Sequence, residues 1–189
     1  MSPKSRKPAK VPYTLLHRET HADAYARLDA LVRAHHDDLT DARIALAFCT
    51  SWSADVDGKV TLGRCRRASS LDRELHEWDF VILLNESWWT DESVTPIQRD
   101  ALLDHELCHA AVKIDKQTND PALDARGRVI YRLRKHDLEE FACIAERYGV
   151  WKRDLEVFAQ SLRRSKQNKL PLDQPTTPAP TARGPQLVQ

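Results

Sequence analysis

The chain has 189 residues, 41% apolar and 30% charged, and its 29 Lys and Arg nearly cancel its 28 Asp and Glu to leave a net charge of +1. There is room for one ordinary domain with a packed core, and no global charge excess of the kind that draws a protein to nucleic acid or to a membrane surface. No stretch approaches the roughly 20 apolar residues that span a bilayer, and no apolar segment follows the basic N-terminus as it would in a secretory signal, so a soluble, cytoplasmic protein is expected.

Three regions succeed one another. Residues 1–12 carry Lys4, Arg6, Lys7 and Lys10 with no acid and read as a basic, disordered arm. Residues 13–165 form the candidate domain. Residues 166–189, with Pro171, Pro175, Pro178, Pro180 and Pro185 among polar residues, read as a disordered tail.

Within the domain, Tyr25, Leu28, Leu31, Val32 and His35 recur at helical spacing and predict a helix from about His21 to His36. Ile44–Thr50 is a short apolar run, a strand. Asp57-Gly58 marks a turn, and Lys59–Cys65 alternates as a second strand, with Val60, Leu62 and Arg64 on one face. Phe80–Leu84 is a continuous apolar run, either a strand buried on both faces or a sheet edge that could pair with an extended peptide. Thr95, Pro96 and Gln98 make a helix start with a capping box, and the helix is expected to continue to about Ile114. Polar residues 115–127 read as a loop and Arg128–Leu133 as a short strand. Asp137–Tyr148, ended by Gly149, and Trp151 to about Arg164 read as two further helices. This order gives an α+β domain.

The chemistry concentrates in His105-Glu106-Leu107-Cys108-His109. Two histidines four apart on a helix stand one turn above the other, so both imidazoles can reach one ion, while the intervening Glu106 can reach a water on it. A hydrolytic zinc site needs three protein ligands and one open position, with a carboxylate nearby as general base. Leu102, Leu103, Leu107, Ala110 and Ala111 give the motif a half-buried setting; the plainer reading is a pair of surface histidines beside an ordinary Glu. His17, His21, His35, His36 and His76 read as surface or cap histidines. Downstream, His136 is the favoured third ligand, with Glu140 in support four residues on. Glu140 or Glu139 as the ligand is the rival reading, and His136 with Asp137 as a mere helix cap is the plain one.

Other residues are weighed more briefly. Tyr131, Tyr148 and Arg132 are candidate oxyanion stabilisers, with packing or surface charge as the alternative. Trp88-Trp89 suggests one ring against the motif helix and one in a cleft; a base-stacking platform is the less favoured idea. Arg64, Arg66 and Arg67 form a small basic run, ordinarily a solvated strand end. The cysteines Cys49, Cys65, Cys108 and Cys143 are scattered without a CxxC pair, so reduced, mostly buried thiols are expected, Cys108 among the core residues.

Phe80–Asn85, Trp88, Ala101–Ala110, His136–Phe141 and Tyr148-Gly149 together resemble the metallopeptidases encoded in phages and prophages, which are themselves similar to SprT-like zincins. The resemblance covers roughly residues 20–150. It implies a zincin-like fold, a small sheet packed on the active-site helix, with Phe80–Leu84 running beside that helix. It also implies His136 as third ligand with His105 and His109, Glu106 as the catalytic base, Zn2+ as cofactor and a protein or peptide as substrate, in the cytoplasm of a bacterial host. Two features depart from the SprT-like pattern: the stretch between His109 and His136 is long, and no cysteine-rich zinc ribbon comes after it. The second weakens any expectation of DNA binding. The rival expectation is a catalytically silent zinc protein that engages a host protein or DNA.

Overall fold

The computed structural model describes residues 12–138, 145, 149–150 and 153–165. The chain divides into two units, Met1–His136 and Asp137–Gln189.

The first unit is built on a four-stranded mixed sheet. Its strands are β1 (Tyr13–Leu15), β2 (Ile44–Cys49), β3 (Gly63–Arg67) and β4 (Phe80–Asn85), in the spatial order β1-β2-β4-β3. β2 and β4 run parallel with Ile44 opposite Phe80, while β1 and β3 run antiparallel to their neighbours. The two central strands are continuous apolar runs, and every residue in them is buried except the half-buried Val81. Ile44, Leu46, Phe48, Phe80, Ile82 and Leu84 belong to one core cluster with Leu28 of helix α1 (Ala22–His35) and Leu103 and Leu107 of helix α4 (Pro96–His109). The short helices α2 (Ser70–Leu75) and α3 (Glu86–Trp89) flank β4 in sequence. One buried hydroxyl ties α1 to β2 and to the residue that follows β1: Tyr25 Oη donates to Leu16 O at 2.9 Å and accepts from Leu46 N at 3.1 Å.

β4 is an interior strand, so the sheet-edge alternative for Phe80–Leu84 is corrected. The outer strand on that side is β3. It also begins later than alternation suggested: residues 59–62 are not strand, and pairing with β4 runs from Gly63↔Leu84 to Arg67↔Phe80. Cys65 points into the core and Arg64 and Arg66 are exposed, whereas Val60, expected on the strand, lies outside it and is exposed.

α4 starts as expected, with reciprocal bonds between Thr95 and Gln98. It stops at His109 instead of near Ile114. Ala110 turns extended, and Ala110–Val112 becomes strand β5, paired antiparallel with β6 (Tyr131–Leu133). Tertiary pairing thus overrides the helix propensity of Ala110 and Ala111. Between these strands the chain makes an excursion. Lys113 N donates to Ile130 O and Ala122 N donates to Lys113 O, so its base is pinned. Its two turns are each organised by an aspartate: Asp115 Oδ1 accepts from Gln117 N, and Asp124 Oδ1 accepts from Arg126 N and Arg128 N. Asn119 and Gly127 take the left-handed conformation these turns require.

The excursion is fastened to the body by charge. Arg126 and Arg128 both bond Glu74 of α2, and Arg73 reaches Asp124 at 3.7 Å and the buried Asp79 at 2.7 Å. Asp79 also accepts from Arg43 N.

In the second unit, Gly149 has φ 66 and donates to Ala145 O, the left-handed stop expected of that glycine. The rest of the helix expected over Asp137–Tyr148 lies largely outside the described residues, as do Cys143 and the 166–189 tail. Helix α5 (Arg153–Arg164) is amphipathic, with Phe158 and Leu162 exposed. No helix among the described residues is long and apolar enough to cross a membrane.

Asp79→Ala leaves the Arg73 guanidinium without its buried partner. It is expected to lower unfolding free energy by about 3 kcal/mol in urea titrations. Asp124 makes the second prediction. The Arg128 N–H, with Arg126 N–H and the Arg128 side chain, holds its carboxyl down from 3.8 to about 2. A carboxyl depressed on folding adds stability that is full above the unfolded value and disappears as pH falls through the folded one. Wild-type melts should therefore lose stability from about pH 4 to about pH 2 in a component that Asp124→Asn removes.

Candidate metal centre

α4 presents His105 and His109 on one face, and the β5–β6 ladder returns the chain so that His136 meets them. One ligand atom from each of the three lies within 4.8 Å of the other two. The Nε2 atoms of His105 and His136 are 3.2 Å apart. Ring centroids are separated by 5.1 Å (His105–His109), 5.1 Å (His105–His136) and 4.5 Å (His109–His136).

These values fit a metal. Two nitrogens on a tetrahedral zinc at its usual bond length stand about 3.3 Å apart, close to the His105–His136 spacing. The third ring is oriented by the main chain: His109 Nδ1 donates to Arg134 O at 2.8 Å, which leaves Nε2 able to bind a metal. Burial, reinforced by the nearby His109 and His136, lowers the pKa of His105 and so favours its neutral, ligating form. His105 and His136 are exposed and His109 half-buried, so the cluster opens toward solvent.

Glu106, the next residue of α4 after His105, has His109 among its charged neighbours and is buried at 4% exposure. Its Oε2 accepts from Cys65 N of β3 at 2.6 Å. Burial raises its pKa; the Cys65 N–H, His109 and Arg64 act to lower it. The resulting carboxyl is more basic than a surface glutamate yet held as an acceptor, a poise suited to proton transfer. β3 can come this close only because residue 63 is glycine: a Cβ there would lie 2.5 Å from Glu106 Oε1. Neither Gly63 nor the Cys65 N–H stood out in the sequence, since a main-chain donor has no side-chain signature. Arg134 O was hidden for the same reason.

Other expected residues fall elsewhere. Tyr131 is buried and packs edge-on against Phe80 at 5.2 Å, so packing, not oxyanion binding, accounts for it. Arg132 is exposed on β6. Trp89 is buried and Trp88 packs against the same core, so neither supplies a free stacking platform. Arg64 lies over the Trp52 ring at 5.7 Å. Cys49 and Cys65 are reduced and buried, but Cys108 is exposed and not a core residue as expected, because α4 turns its flank outward there. His36, expected at a cap or on the surface, does come directly after the last residue of α1, yet its ring is buried and bonded to Asp104. Glu139, Glu140 and Tyr148 lie outside the described residues.

Gly63→Ala should push Glu106 off its Cys65 bond. We expect a loss of at least tenfold in any hydrolytic activity while metal content stays unchanged, since the atoms nearest a Cβ at residue 63 are those of Glu106 and not of the three histidines. Metal analysis and turnover on the same sample check this.

No curated protein and no solved structure matches the chain. A family model described as "Putative phage metallopeptidase" matches residues 16–162. Such a family implies a metal ion, and the histidine cluster falls within the matched span. On that match the chain belongs to the phage metallopeptidase family.

Proposed function

We propose that the chain is a zinc-dependent peptidase of the zincin kind, with His105, His109 and His136 as metal ligands and Glu106 as general base. The observation that carries this reading is the convergence of the three imidazoles beside a buried glutamate within an H-E-x-x-H helix. The mixed α+β arrangement, with an antiparallel outer strand beside the motif helix, is in keeping with the SprT-like zincins that the sequence resembles.

Zinc held by the three rings would acidify a bound water and polarise a scissile carbonyl. Glu106 accepts the proton of the attacking water and returns it to the leaving amine as the C–N bond breaks. The Cys65 N–H anchors one carboxylate oxygen, so the other is the atom that carries the proton. Arg134 O fixes the His109 tautomer. The outer edge of β3 at Gly63, beside Glu106, is the place where an extended peptide would pair, in preference to the interior β4. The substrate class is accordingly a protein or peptide in extended form.

Glu106→Gln should retain stoichiometric zinc and lose roughly 10²- to 10⁴-fold in cleavage of an unfolded protein substrate. His136→Ala should lose the zinc as well. Activity that survives Glu106→Gln would leave the silent, zinc-binding alternative. Zinc retained in His136→Ala would overturn the ligand set.

A further inference from the structure

We propose that α4 carries a second metal site, formed by His36, Asp104 and Cys108, that takes a thiophilic divalent cation such as zinc. One ligand atom from each of these residues lies within 4.8 Å of the other two. Asp104 and Cys108 are four apart and share one stripe of the helix. Each stands one residue before a histidine of the first site, so their stripe is turned about 100° from it around the helix axis. The two clusters therefore use separate faces of one helix.

The third member comes from another element. His36 lies just past the end of α1, and its ring, 10% exposed, places Nε2 2.7 Å from Asp104 Oδ1. A His–Asp hydrogen bond that ties α1 to α4 would account for this pair alone. A third donor, the Cys108 thiol, stands at the same point and is exposed while Cys49 and Cys65 are buried. Imidazole, carboxylate and thiolate are the donor types that zinc combines in protein sites, and the sulfur selects for zinc over magnesium or calcium. On binding, the Cys108 thiol would release its proton to solvent and the Asp104 carboxylate would trade its hydrogen bond for a coordinate bond. The cation would then clamp α1 onto α4, the helix whose next face carries the three imidazoles. This assignment stands or falls separately from the peptidase reading, because it shares no ligand with it.

Cobalt(II) discriminates the two sites. An all-imidazole site gives only weak visible bands, whereas a thiolate ligand adds an intense near-ultraviolet charge-transfer band. The full chain, stripped of metal, is expected to take two cobalt equivalents, one of them accompanied by that band. Cys108→Ser should abolish the band and leave one equivalent; His36→Gln should weaken binding at least tenfold at the same equivalent. The double variant His105→Ala/His109→Ala should keep the band and lose the other equivalent. A wild-type chain that shows no charge-transfer band, or a band that survives Cys108→Ser, would overturn the proposal. Circular dichroism on each variant confirms that the fold is intact, and Cys108, being exposed, tolerates the exchange to serine.

Discussion

His109 is at once the last residue of α4 and the anchor of the β5–β6 ladder. Its carbonyl accepts from Arg134 N at 2.8 Å, and its ring bonds Arg134 O at the same distance. From there β5 and β6 pair residue by residue, Ala110 with Leu133 to Val112 with Tyr131. This ladder converts a long separation in sequence into contact in space. Had the helix run on toward Ile114, the returning strand would have had no partner and His136 no fixed place beside His105. A main-chain device therefore governs a side-chain site, and the helix end is where the two meet.

A second constraint acts on Glu106. Burying a carboxyl is costly unless its oxygens find donors, and here the donor is the main chain of the outer strand. The same contact demands a residue without a side chain at position 63. Strand, glycine and glutamate thus form one unit. It sets the distance between the sheet edge and the motif helix, and with it the width of any cleft between them.

The parts of this fold that were legible in the sequence were those written in local patterns. The Thr95–Gln98 capping box, the apolar runs of β2 and β4, the Asp57-Gly58 turn and the left-handed Gly149 each carry their own signature. The H-E-x-x-H spacing and a downstream histidine pointed to the cluster for the same reason. The illegible parts depend on partners far along the chain. Nothing near Ala110 says that the helix yields to a strand, because the competing interaction lies at Leu133. The extent of β3 differs from the sequence reading because alternation at residues 59–65 resembles a strand, while the true pairing, Gly63 to Arg67, is decided by β4. His36 looked like a cap residue, and by position it is one; its burial depends on Asp104 arriving from α4.

The pinned base of the excursion between Lys113 and Ile130 has a consequence for how such proteins can change. With its two ends joined by main-chain hydrogen bonds and its stem stapled to α2 by charge, the tip around Gln117 and Thr118 is mechanically separate from the histidines. Lengthening it adds only a loop-closure term, about 0.6 kcal/mol per doubling, and displaces none of the three histidines. The long stretch between the helix motif and His136 is then a place where lineages can add or exchange material without rebuilding the centre, a modular graft point on an otherwise tightly specified frame.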